Sequence, residues 1–173
     1  MEMLIAHPDS LPQAVQSIAA GVIRTAAGLA VEFHLAGDIA ALVIPLPGKP
    51  GRADELWRTT CFELFLKGKN GFYRELNFTP SGHWAAYAFD HYRSGMRDVD
   101  ALVATQVART ETTLTLAATI RIDLTDVTRL GLSAIIEESG GRKSYWALAH
   151  PAGPPDFHEQ TCFRALLADI AQS

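Results

Sequence analysis

Thr113-Leu-Thr-Leu-Ala-Ala-Thr-Ile-Arg-Ile122 alternates apolar and polar side chains with a period of two. Successive strand residues point to opposite faces. Leu114, Leu116, Ala118, Ile120 and Ile122 therefore share one face, against Thr113, Thr115, Ala117, Thr119 and Arg121. A helix needs a period of 3.6, so this segment reads as a strand with one buried face.

Outward from it, Leu102 to Arg109 completes a hairpin with this strand. Leu29, Val31, Phe33 and Leu35 alternate with Ala30, Glu32, His34 and Ala36, which is another half-buried strand. Gly37-Asp38 reads as a tight turn into a strand over Ile39 to Leu46, so these two strands are expected to pair as a hairpin. Pro47 to Asp54 is a loop by composition. Further strands are expected within Leu56 to Leu66, over Tyr73 to Phe78 and over Trp84 to Phe89. Two more, Leu130 to Glu138 and Lys143 to Ala149, flank Ser139-Gly-Gly141.

Roughly nine strands separated by turn signals favour an antiparallel sandwich or barrel over a βαβ fold. Helix is scarce. Ser10 to Ala20 holds either a turn of helix or, over Val15 to Thr25, a strand, and Phe163 to Ala171 is expected as a short terminal helix. No repeat or linker divides residues 1–173, so one domain is expected.

A chain of 173 residues is long enough for a core without disulfides or metals. The net charge of -4 makes nucleic acid a poor partner. Cys61 and Cys162 read as free thiols of a reducing compartment. The N-terminus has no basic, apolar leader, and no segment has the apolar length of a membrane span, so a cytoplasmic location is expected.

Polar side chains concentrate between Trp57 and Asp90. On one strand Cys61, Glu63 and Phe65 oppose Phe62, Leu64 and Leu66; on the next, Tyr73, Glu75 and Asn77 oppose Arg74, Leu76 and Phe78. If these strands pair, Glu63, Glu75 and Asn77 share one face, with Arg58, Arg74 and Arg93 as the nearest cations. An inward carboxylate must be paired or solvated. The bland alternative is a solvated sheet surface with an ordinary ion pair. The functional one is a concave polar face for a small ligand, with Tyr73, Trp84, Tyr145 and Trp146 supplying rings. A second cluster, His150, Asp156 and His158, lies at a strand end and in a Pro-rich loop. Its spacing matches no standard metal set. No Gly-x-Ser-x-Gly elbow or phosphate-cradling loop is present, so catalysis is not expected.

The succession Asp54-Glu-Leu-Trp-Arg-Thr-Thr-Cys-Phe-Glu-Leu-Phe-Leu66, then Tyr73-Arg-Glu-Leu-Asn-Phe-Thr-Pro-Ser-Gly-His-Trp84 and Tyr92-Arg-Ser-Gly95, resembles the DOMON-like proteins, which are related to family 9 carbohydrate-binding modules. Ser144-Tyr-Trp-Ala-Leu-Ala-His-Pro151 and Asp156-Phe-His158 look like a bacterial subgroup of them. The resemblance implies a sandwich of jelly-roll type with a ligand cleft, and sugars or haem as ligand classes. Trp57 and Glu63 are the positions it carries over. For haem, Met96 with His83 or His91 would be the candidate axial pair, but these lack a recognisable motif.

The sequence thus predicts an all-β, jelly-roll-like sandwich that binds a small molecule, a saccharide by preference, without cofactor or metal. The expected contacts are Trp57, Arg58, Glu63, Glu75, Asn77, Trp84, Trp146, His150 and His158. A haem module and an interaction domain without a small ligand are the alternatives. Exposed edge strands leave room for a homodimer.

Overall fold

The computed structural model describes residues 1–167. In chain order its strands are β1 Glu2–Met3, β2 Ile5–Ala6, β3 Val15–Thr25, β4 Gly28–Gly37, β5 Gly51–Arg52, β6 Cys61–Lys67, β7 Tyr73–Phe78, β8 His83–Phe89, β9 Arg97–Asp98, β10 Leu102–Arg109, β11 Thr113–Arg121, β12 Arg129–Glu138, β13 Arg142–Ala147 and β14 Ala165–Leu166. Among the described residues helix occurs only as 3-10 conformation, including four three-residue turns.

The strands make two sheets. The smaller has the order β1-β3-β4-β11-β10 and the larger β2-β13-β12-β6-β7-β8-β5, with β14 added to β12 and β9 to β8. Every pairing is antiparallel except the short β5–β8 contact. The result is an all-β antiparallel sandwich, one of the two architectures that the alternating patterns allow.

The inner faces carry the period-two apolar sets. Leu114 pairs with Leu35 and Leu116 with Phe33 in the smaller sheet. Phe62, Leu64, Leu76, Phe78, Leu132 and Ile136 line the inner face of the larger one. Phe33 and Phe62 meet across the sandwich with ring centroids 5.0 Å apart. Each such fully buried side chain contributes roughly 1.5–3 kcal/mol.

Three local expectations change. Ile39 to Leu46 does not pair with β4, which instead lies between β3 and β11. Asp38 accepts a hydrogen bond from Ala40 N and caps a 3-10 turn at Ile39–Ala41. The chain then crosses to the larger sheet, where Val43 N donates to Glu137 O and Leu42 bridges Glu138. Between Ser10 and Ala20 the strand alternative holds, because β3 can fill the edge of β4 over ten registered pairs. At the C-terminus, where a helix over Phe163 to Ala171 was expected, Ala165 and Leu166 pair with β12 as a short strand; residues 168–171 of that expectation lie outside the described residues.

The larger sheet is covered on its outer face as well. Phe65, Tyr73, Tyr87, Phe89 and Ile135 form a second apolar layer with Phe157, Cys162 and Phe163 from the connection after β13. Gly131 makes this possible: a Cβ there would lie 2.6 Å from Cδ1 of Phe163. This connection, residues 148–164, turns the outer face from an open surface into a cleft.

Candidate functional site

Pairing of β6 with β7 sets Glu63 opposite Asn77 and Phe65 opposite Glu75. Odd-numbered residues of both strands therefore face outward, away from the sandwich core. Glu63 and Glu75 are 3% and 5% exposed there, so neither is an ordinary surface carboxylate. They form the floor of a cavity of about 340 Å3. Its walls are Trp57, Phe89, Met96, Ile135, Tyr145, Pro155 and Phe157, with Arg93 and His158 as further polar groups.

The floor is hydrogen-bonded. Ser133 on β12 donates to Oε2 of Glu63 at 2.9 Å. Asn77 Nδ2 donates to Oε1 of Glu75 at 2.8 Å. The Cys61 thiol lies within reach of two acceptors, Phe62 O at 3.7 Å and Asn77 Oδ1 at 3.8 Å. The other oxygen of Glu63, Oε1, has no hydrogen-bond partner among the described residues, although Glu63 lines the cavity.

Two chain segments close over this floor. Tyr73 on β7 reaches both. Its hydroxyl accepts from Arg93 N at 3.0 Å and is 2.7 Å from Nδ1 of His158. The backbone N–H can only donate, so the phenol oxygen accepts from Arg93 and keeps its own hydrogen for another partner, with Nδ1 of His158 in reach. Nε2 of the same ring faces Oε2 of Glu75 over a long 3.5 Å. Asp156 ties the same segments together from outside. It accepts from Tyr92 Oη at 2.6 Å and from Arg93 Nη2 at 2.8 Å. Arg93 sits in the left-handed region with φ 51, a conformation uncommon for a side-chain-bearing residue.

Burial dominates the electrostatics. Burial first, and then the charge of Glu75, push the Glu63 carboxyl up to about 8. Burial likewise pushes Glu75 up to about 7, against the hydrogen bond from Asn77. The pair resists carrying two charges near neutrality. Burial and then the Arg93 charge push His158 down to about 4, so its contact with Glu75 is that of a neutral ring. For Asp156 burial works upward, but the hydrogen bonds from Tyr92 and Arg93 hold it below its ordinary value.

Of the nine expected contacts, Trp57, Glu63, Glu75 and His158 line the cavity. Asn77 is fully buried behind Glu75 and orients it. Arg58 is exposed and pairs with Glu55 at 2.7 Å. Trp84 and Trp146 lie on the inner face of the larger sheet, packed in or against the sandwich core. Trp84 pairs with Phe78 and Trp146 with Ala134, both inward positions, so strand parity excludes them from the cleft. His150 Nε2 donates to Ile5 O at 2.7 Å, away from the floor. Met96 reaches the cavity wall, but His83 is held by Ser81 and His91 bridges Ser94. Among the described residues no group of three His, Cys, Asp or Glu converges as a metal set. Phe89, Ile135, Pro155 and Phe157 were not anticipated as walls. Phe89 was accessible by parity, since it pairs with Tyr73; Pro155 and Phe157 depend on how a loop folds back.

A larger hollow of about 550 Å3 lies on the outer face of the smaller sheet. Mainly aliphatic and uncharged side chains line it, and Glu32, its one ionisable side chain, is engaged by His34 at 3.1 Å. It lacks the convergent polar groups that mark a specific ligand site.

No family model and no curated protein matches the chain. Among solved structures, a "putative carbohydrate-binding protein" from Bacteroides uniformis is similar, with a TM-score of 0.66 over 94% of this chain and 83% of that one. The sequences are 10% identical, so the likeness is one of fold. No helix among the described residues is long and apolar enough to cross a membrane.

Proposed function

We propose that this protein is a non-catalytic binding module that takes a saccharide or sugar-like metabolite in the cleft on the outer face of the larger sheet. The observation that carries this reading is the floor of Glu63 and Glu75 beneath walls of Trp57, Tyr145 and Phe157. Carboxyl groups exchange hydrogen bonds with hydroxyls, while rings cover the apolar face of a pyranose. The cavity is at the lower end of the roughly 300–1,000 Å3 usual for small-molecule sites, which suits one ring rather than a polymer.

The fold shared with the Bacteroides protein supports the carbohydrate-binding part of this reading, and membership of the DOMON-like group is proposed with it from the sequence resemblance. A cytoplasmic location and a single-domain organisation complete the reading. Calorimetric titration of a monosaccharide and amino-sugar panel tests it. Saturable heat that disappears in Trp57→Ala is the expected result; silence of the folded protein across the panel overturns it.

A further inference from the structure

We infer that the cleft selects a ligand bearing a cationic amine, with the ammonium group seated between Glu63 and Glu75 and against the aromatic walls. This deepens the saccharide reading and rests on the same cavity: within that reading, the favoured ligand is an amino sugar.

Four observations carry it. First, the floor holds two carboxyl groups, and Oε1 of Glu63 has no hydrogen-bond partner among the described residues, on a side chain 3% exposed. That oxygen is not sealed in the protein interior: it borders the cavity, where a donor on a ligand can reach it. Second, the nearby cations are held by other groups. The Arg93 guanidinium, which also lines the cavity, is paired with Asp156 at 2.8 Å and offsets the glutamates only in part, since burial still holds both carboxyls above their ordinary values. His158 is neutral, with Nδ1 occupied by Tyr73 and Nε2 turned to Glu75. Third, Trp57, Phe89, Tyr145 and Phe157 surround the floor with aromatic surface. Ring faces attract ammonium groups, and desolvation strengthens that attraction. Fourth, an anionic ligand meets two carboxyl groups at the floor, and the cation of the lining, Arg93, is already paired with Asp156.

The titratable groups around Glu63 come from several elements. Cys61 shares its strand; Tyr73 and Glu75 come from β7, Tyr145 from β13, Arg93 from the β8–β9 connection, and Asp156 and His158 from the loop after β13. Burial and mutual repulsion hold the glutamate pair partly protonated near neutrality. An arriving ammonium reverses that preference. The carboxyl O–H bond breaks, its proton passes to the buffer, and two carboxylates face the cation. Binding therefore tightens as pH rises through about 7 to 8.

The experiment uses matched pairs on the full chain: choline against 3,3-dimethyl-1-butanol, and glucosamine against glucose. Titrations at pH 7 in two buffers of different ionisation enthalpy report protons moved. Choline has no titrating charge, so any proton released with it comes from the protein. The expected result is a preference of at least tenfold for the cationic member of each pair, with proton release. That preference should shrink to within about threefold in Glu63→Gln and in Glu75→Gln, each checked as folded by near-ultraviolet circular dichroism. Equal binding of glucose and glucosamine overturns the amine inference and leaves the saccharide reading standing. Binding of choline with no sugar bound sustains the amine inference and overturns the saccharide reading. Absence of binding by all four probes overturns both.

Discussion

Tyr73 Oη lies 2.7 Å from Nδ1 of His158 and also accepts the backbone N–H of Arg93. One side chain of the floor strand thus fixes both segments that close the cleft. Its ring stacks on Phe89 with centroids 4.7 Å apart and planes 7° from parallel. The phenol position is therefore set by packing before either segment docks on it.

Removing that hydroxyl leaves two partners unmatched. Tyr73→Phe keeps the stack with Phe89 but strands Nδ1 of His158 and the N–H of Arg93. Both lie in part-buried surroundings, so a loss of about 1–3 kcal/mol is expected. Thermal unfolding measures the loss. Amide hydrogen exchange should show faster opening confined to residues around 91–95 and 155–159.

The glutamate pair predicts an unusual dependence of stability on pH. Native Glu63 and Glu75 hold protons up to about 8 and 7, whereas the unfolded chain releases them near 4.5. The native state binds more protons in that window, so stability falls as pH rises through it. His158 acts the other way, but lower down. Its native value of about 4 lies below the ordinary 6.5, so its contribution is lost as pH falls from 6.5 to 4. Between pH 6.5 and 8 the glutamates alone act. The melting temperature should rise on acidification from 8 to 6.5. Glu63→Gln should flatten that rise and stabilise the protein at pH 8 by on the order of 1–2 kcal/mol. A flat profile in the unsubstituted protein would rule out the buried-acid description.

The tryptophans separate by face. Trp146 is buried in the sandwich core, with its Nε1 donating to Ser144 Oγ at 3.0 Å. Trp146→Ala should cost about 3–5 kcal/mol and destabilise the whole fold. Trp57 stands at the cleft, edge-on to Tyr87 with centroids 6.1 Å apart. Trp57→Ala should cost only about 1 kcal/mol of stability, since its contacts lie on one side. It should weaken ligand binding by tenfold or more. Paired unfolding and calorimetric measurements distinguish the two roles.

Gly131 tests how the outer layer is seated. Gly131→Ala puts a methyl group into Phe163, and Phe65 Cβ lies 3.3 Å away on the other side. Overpacking of this kind typically costs about 1–3 kcal/mol. Because Phe163 belongs to the segment that closes the cleft, the substitution should also reduce ligand affinity. Gly131→Ala without loss of stability would mean that Phe163 is not packed as described.

Much of this arrangement was legible in single strands. The facing of Glu63, Glu75 and Asn77 followed from counting residues, because period two admits no other choice once the apolar positions are assigned to the core. The β10–β11 and β12–β13 hairpins were legible for the same reason, helped by their short turns. The expected β4 hairpin failed because Gly37-Asp38 is compatible both with a tight turn and with a 3-10 cap, and local chemistry does not say which sheet the next residues join. Trp84 and Trp146 were drawn toward the ligand by residue type; Trp146 follows Tyr145 on one strand, so alternation already set those two on opposite faces, whereas the inward position of Trp84 depends on the register of β8 on β7.

The alternation of side chains by itself determined antiparallel half-buried strands, a sandwich or barrel, and set Glu63 and Glu75 on the side of their strands opposite the apolar positions, since backbone pleating is a local property of the chain. Only the tertiary structure decided that this face is buried. A segment more than 80 residues beyond Tyr73 returns to lay Phe157, His158 and Phe163 over it. That closure desolvates Glu63 and Glu75 and raises their affinity for protons. It also turns an ordinary polar sheet surface into a cavity, an effect that depends on contacts between residues far apart in sequence.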